Sequence, residues 1–178
     1  DIAPYRFMWR KRSLGAGDSA NNYSNLFTLI DIVSPPASPN ASPLPDATVK
    51  QFADIADFEQ WMRIFAVQRT VGNWDSYGWE RGKNGYTYRP ERGKFAMMTW
   101  DIDFTMGVDG RGSNADPFGG TSDPRVLAMY NTPEIVRAYW RAFQDIVDGP
   151  LSLSYLDPLI DARTAAVRAN NVNYNPAV

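Results

Sequence analysis

The clearest hydrophobic pattern along the chain runs from residue 58 to residue 66. Phe58, Trp61, Met62, Phe65 and Ala66 fall at i, i+3, i+4, i+7 and i+8, the spacing of one apolar face on an α-helix. Asp57 stands in front of that run as an N-cap, its carboxylate facing free N–H groups. Gly72 follows it and supplies the conformation of a C-cap. A shorter helix is expected over Asp46 to Ile55. Three more close the chain. Asp123-Pro124 opens the first by cap and proline. Thr132-Pro133 opens the second, which carries Ile135, Tyr139, Phe143 and Ile146 and stops at Gly149-Pro150. Ser152 or Ser154 opens the last, with Tyr155, Leu156, Leu159, Ile160 and Val167 as its apolar positions. Between the two helical regions the period changes from near four to two. Gly85 to Arg89 and Lys94 to Asp103 read as a hairpin turning at Pro90-Glu91-Arg92-Gly93. Its second strand sets Phe95, Met97, Thr99, Asp101 and Asp103 on one face. Pro4 to Arg10 alternates aromatic and long side chains and also reads as a strand. Leu26 to Val33 is an apolar run that fits either element. Residues 34–45, rich in proline and serine, make an extended surface connection. Gly107 to Asp123 is a loop rich in Gly and Asp. The fold class is therefore α+β: a mainly helical body with a β-hairpin that carries acidic residues.

Composition narrows the chemistry more than the fold. A chain of 178 residues, 44% hydrophobic and 21% charged, suits one domain with a real core. Its formal net charge of -2 gives no long-range pull toward nucleic acid or anionic membranes. No apolar run is long enough to span a bilayer, and residues 1–20 lack the apolar core of a signal peptide. There is no cysteine and no histidine. That excludes disulfides, zinc held by Cys or His, and every Cys-His or Ser-His hydrolase arrangement. Chemistry must run on carboxylates, amides, hydroxyls, Lys, Arg and backbone. Hard-cation sites built of oxygen remain open.

Four residues stand out. Asp75 follows a helix end beside Asn73, Trp74 and Ser76; taken alone, such an Asp reads as a turn former. Asn84 is by itself a turn or strand-start residue. Asp101 and Asp103 repel each other on a strand face unless a cation or donor lies between them. A divalent metal is the simplest neutraliser; an Arg or Lys partner is the plainer one. An EF-hand loop from Asp101 fails, because Met106 replaces its glycine and Gly112 its glutamate. A glycosidase pair of Asp75 and Asp101 is conceivable, but nothing along the chain sets their separation. Phosphoryl transfer fits better. It needs a carboxylate to orient or deprotonate the acceptor, and oxygen ligands for Mg²⁺ on the phosphates. An Asp, an Asn on the same loop and an Asp ending a hairpin strand supply those parts in the order protein kinases use.

The motifs Gly72-Asn73-Trp74-Asp75-Ser76, Asn84-Gly85-Tyr86-Thr87-Tyr88, Gly93-Lys94-Phe95 and Trp100-Asp101-Ile102-Asp103-Phe104-Thr105-Met106-Gly107 together resemble the CotH (spore coat protein H) family of atypical protein kinases. The similarity extends through Tyr5-Arg6-Phe7-Met8-Trp9 and through the helices from Arg125 to Asn170. The resemblance implies a protein-kinase-like large lobe and ATP with Mg²⁺ or Mn²⁺. It implies Asp75 as catalytic carboxylate and Asn84 as metal or phosphate contact, with Asp101 or Asp103 as metal ligand. It further implies phosphorylation of Ser or Thr in secreted or spore-surface proteins, and a bacterial surface or secreted location. The family's glycine-rich loop and phosphate-binding lysine lie upstream of its large lobe. Neither Lys11-Arg12 nor Gly107-Val108-Asp109-Gly110-Arg111-Gly112 matches them. The expectation is a single large-lobe domain over residues 1–178 that keeps the acidic site and does not turn over alone. The alternative is a non-catalytic, pseudokinase-like surface module whose carboxylates take Ca²⁺ for structure.

Overall fold

The computed structural model describes residues 1–34, 42–79, 83–107 and 114–172. Among these described residues seven helices and two strands follow one another. They are α1 (Ala3–Met8), α2 (Ser24–Val33), α3 (Asp46–Ile55), α4 (Phe58–Thr70), β1 (Gly85–Tyr88), β2 (Ala96–Thr99), α5 (Pro124–Asn131), α6 (Pro133–Asp148) and α7 (Leu153–Ala169). The architecture is mainly helical with one antiparallel hairpin, as the alternation of periods predicts. Among the described residues no helix is long and apolar enough to cross a membrane.

Helix α4 is the centre of the core. Its Trp61, Met62, Phe65 and Ala66 are buried, and its main partner is α6, which contributes Ile135, Ala138, Tyr139 and Ala142. Asp57 caps α4 by accepting from the Gln60 N–H at 3.1 Å. Gly72 takes φ +72° just past its end, a left-handed turn that costs a glycine nothing. Full burial of such large side chains is worth roughly 2–3 kcal/mol apiece, so the α4–α6 seam contributes strongly to the stability of the fold.

The hairpin is fastened to α4 through its second strand. In the ladder Gly85 faces Thr99, Tyr86 faces Met98, Thr87 faces Met97 and Tyr88 faces Ala96. Among the described residues the far edge of β2 has no strand neighbour, and α4 fills that role. Gln60 Nε2 donates to the Met97 carbonyl at 2.7 Å, while the Met97 N–H donates to Gln60 Oε1 at 2.8 Å. Just before β2, the Phe95 N–H donates to the Ile55 carbonyl, and the Phe95 carbonyl accepts from the Asp57 N–H and from Trp61 Nε1. Buried donors and acceptors on this side of the hairpin are thereby satisfied.

Several expectations need correction. The segment expected as a strand over Pro4 to Arg10 is helical, as α1. Pro4 fits a first helical turn, and Asp1 Oδ1 accepts from the Ala3 N–H at 2.9 Å. Among the described residues no strand lies alongside it; Tyr5 packs instead on Tyr23 and Phe27 of the α2 region. The second hairpin strand ends at Thr99 rather than Asp103. Asp101 has φ +56°, so the strand face breaks before either acidic residue reaches it. The apolar positions of α7 do not reach the core: Tyr155, Leu159 and Ile160 are exposed, and none of the helix is buried. The proline-rich connection is described only outside residues 35–41, the Trp79–Lys83 loop only outside 80–82, and the Gly107–Asp123 loop only outside 108–113.

Candidate functional site

Asp75 sits on a loop that leaves the C-terminus of α4 and is held along its length. The Asn73 N–H donates to the Gln68 carbonyl at 2.8 Å, the Ser76 hydroxyl donates to the Asn73 carbonyl at 2.7 Å, and the Trp79 N–H closes a turn on the Ser76 carbonyl. Asn73, Asp75 and Ser76 are all buried, which is unusual for three polar residues within four positions. The Asp75 carboxylate answers to two neighbours across the loop. Asn84 Nδ2 donates to its Oδ2 at 3.1 Å and to the Asp75 carbonyl at 2.8 Å. Lys83 Nζ lies 2.8 Å from the same Oδ2. The carboxylate is 6% exposed and the lysine 52%, so one face of the pair opens outward.

The acidic segment after β2 packs on the start of this loop. The Met106 N–H donates to the Val71 carbonyl at 2.6 Å, and the Phe104 and Trp74 rings lie 5.8 Å apart. Asn73 Nδ2 makes a longer contact, 3.4 Å, to the Asp101 carbonyl. Asp101 and Asp103 themselves are exposed. Thus Asp75 and Asn84 are in direct contact, while Asp101 and Asp103 ride on the neighbouring loop. Among the described residues no three carboxylates gather at one point. Asn84, Asp101 and Met106 all hold positive φ, at 55°, 56° and 57°. Left-handed backbone costs an L-residue about 1–2 kcal/mol, and such outliers collect at working sites.

The oxygen donors here, an Asn carboxamide and exposed carboxylates, are of the type that a hard cation such as Mg²⁺ takes. That ion takes one or two protein carboxylates and fills its other positions with water and phosphate oxygens. Asn84 spends its amide nitrogen on Asp75, which leaves its Oδ1, a hard donor, out of that contact.

Beside the acidic loop lies a cleft of about 1200 Å³. Its walls are the segment from Arg6 to Gly15 and the outer side of β1, and it reaches Asn84 and Trp100. Arg12 lies over the Tyr86 ring at 5.8 Å, and Trp100 meets that ring edge-on at 5.0 Å. The cleft therefore joins guanidinium charge to aromatic faces, next to the Asp75–Asn84 pair.

Two residues that touch this loop, Lys83 at Asp75 and Arg69 at Trp79, are not marked by the sequence motifs. Lys83 stands directly before the Asn-x-Tyr-x-Tyr strand, and that position was a usable signal. Arg69 stands in the last turn of α4. It is 9% exposed, and its guanidinium carbon stands 3.7 Å from the centroid of the Trp79 ring.

No curated protein and no solved structure matches this chain. A family model described as CotH kinase protein matches residues 18–178, a span that contains the Asp75 loop, the hairpin and the acidic segment. With that match over nearly its whole length, the chain belongs to the CotH kinase protein family, and the membership implies use of ATP.

Proposed function

We propose that this chain is the large-lobe part of a metal-dependent protein kinase that phosphorylates Ser or Thr in a secreted or surface protein, with Asp75 as its catalytic carboxylate. The observation that carries the reading is the Asp75–Asn84–Lys83 cluster, a buried carboxylate with one outward face. In this reading the acceptor hydroxyl gives its proton to Asp75 as its oxygen bonds to the γ-phosphorus, and the bond from that phosphorus to the ADP oxygen breaks. Asn84 holds Asp75 in a single rotamer through its amide nitrogen. Lys83 keeps charge near the place where phosphoryl oxygens arrive. Asn84 Oδ1 with Asp101 or Asp103 would hold Mg²⁺ or Mn²⁺, which when bound neutralises phosphate charge. The cleft between Arg12, Tyr86 and Trp100 suits a nucleotide, stacking the base and drawing the phosphates.

The calcium-stabilised alternative has less behind it. Calcium takes six to eight oxygens, roughly, and no convergence of three carboxylates is found among the described residues.

The test is transfer of labelled γ-phosphate by the full-length protein with Mn²⁺. Asp75→Asn is expected to lower kcat by about a thousandfold with the melting temperature nearly unchanged. Lys83→Met is expected to cost roughly tenfold. Undiminished transfer by Asp75→Asn would sink the assignment.

A further inference from the structure

The loop that carries Asp75 is anchored differently at its two ends. Its first end is main chain continuous with α4, and the Val71–Met106 hydrogen bond fastens it to the acidic segment. Its far end depends on side chains from elsewhere. The Tyr130 hydroxyl, from α5, donates to the Gly78 carbonyl at 3.0 Å in a buried setting. Arg69, from α4, stacks on Trp79 at 3.7 Å. Gly78 has φ +95°, and a Cβ there would fall 2.8 Å from the Phe65 ring, so the chain is pressed against α4 at that point.

A guanidinium this deep is costly unless other groups compensate its lost hydration. Among the described residues no carboxylate forms an ion pair with it. The Trp79 face supplies one compensation. Tyr130 and Tyr139 supply another: burial pushes both phenols up, and the neighbouring Arg69 partly opposes that push. Tyr139 in turn donates to the Pro117 carbonyl at 2.8 Å. The rings of Tyr130 and Tyr139 lie 4.9 Å apart, which locks the group into the α4–α6 seam.

We infer that Tyr130 and Arg69 are positioning residues: from outside the site they clamp residues 78 and 79, fix where the Asp75 carboxylate stands, and set the rate of transfer without contributing to nucleotide affinity. The inference rests on the reading of Asp75 as the catalytic carboxylate. It deepens that reading, because misplacement of a reacting group by about 1 Å can cost on the order of a hundredfold in rate.

The decisive variant is Tyr130→Phe in the full-length protein, which removes one hydroxyl and keeps the ring. Two readouts are taken. Hydrogen exchange without nucleotide should quicken at residues 73–79 and stay unchanged in α6. In transfer assays kcat should fall roughly tenfold while KM for ATP stays within about twofold. Arg69→Met should act in the same direction and Arg69→Lys should recover part of the rate; if Arg69→Met does not fold, Tyr130→Phe decides alone. Unchanged exchange overturns the clamp. Quickened exchange with unchanged kcat overturns the positioning role. Absence of transfer by the unaltered protein would instead overturn the kinase reading, and the exchange experiment would still decide whether the clamp exists.

Discussion

The two acidic loops of this molecule are built in opposite ways. The one carrying Asp75 is buried, hydrogen-bonded along its length and clamped at its far end by Tyr130 and Arg69. The one carrying Asp101 and Asp103 is exposed and holds two of its residues in left-handed backbone. Under the proposed function, the difference would be a division of labour between a catalytic carboxylate and metal ligands. A group that must meet a proton in one geometry gains from being fixed beforehand. Ligands for a metal that arrives with its nucleotide can stay hydrated until then, because the ion completes the arrangement.

That contrast can be broken or sharpened. Asp101→Asn and Asp103→Asn, made separately, should differ strongly. The one that holds the ion should raise the Mn²⁺ concentration for half-maximal transfer by roughly ten- to a hundredfold, and the other should stay near the starting value. Neither should move the melting temperature much, since both residues are exposed. Equal and large destabilisation by both would make the acidic loop as structural as the other. On the buried side, Gly78→Ala should destabilise the fold by about 1–3 kcal/mol in denaturant titrations, from the Phe65 contact and the positive φ together. An unaltered midpoint would show that the loop has slack.

A smaller effect should appear at high pH. Burial, with Asp123 adding to it, pushes the Tyr77 phenol up to about 12. Its unfolded value is near 10, so the folded chain keeps the proton longer. This contribution is fully present below about pH 10 and is lost as pH rises toward 12. Tyr77→Phe should therefore flatten the fall of the melting temperature across that window. An identical slope in the variant would remove Tyr77 from the cause.

Most of the helical frame was legible in the residues. The spacing of Phe58, Trp61, Met62 and Phe65 marked α4, and caps at Asp57, Asp123 and Thr132 marked three helix starts. The hairpin was legible in its alternation, but its end was not. Asp101 leaves the strand through a backbone conformation that an alternating pattern cannot signal. The N-terminal segment misled because aromatic alternation resembles a strand wherever it occurs, whereas what decides is a neighbouring strand, and none stands there. Asp75 and Asn84 were found by motif, and the structure brings them into contact. Arg69 stayed hidden because its stack on Trp79 exists only in three dimensions, whereas Lys83 had a signal in its place directly before the Asn84 motif.

Gln60 sets the phase of the hairpin against the central helix. Because its carboxamide both gives to and takes from Met97, it counts residues for the hairpin. A shift of one would offer the helix Met98, whose side chain points to the opposite face, and every position after it would arrive out of phase. A single amide on the central helix thus acts as an index mark, determining which residue of the acidic segment comes to rest beside the Asp75 loop.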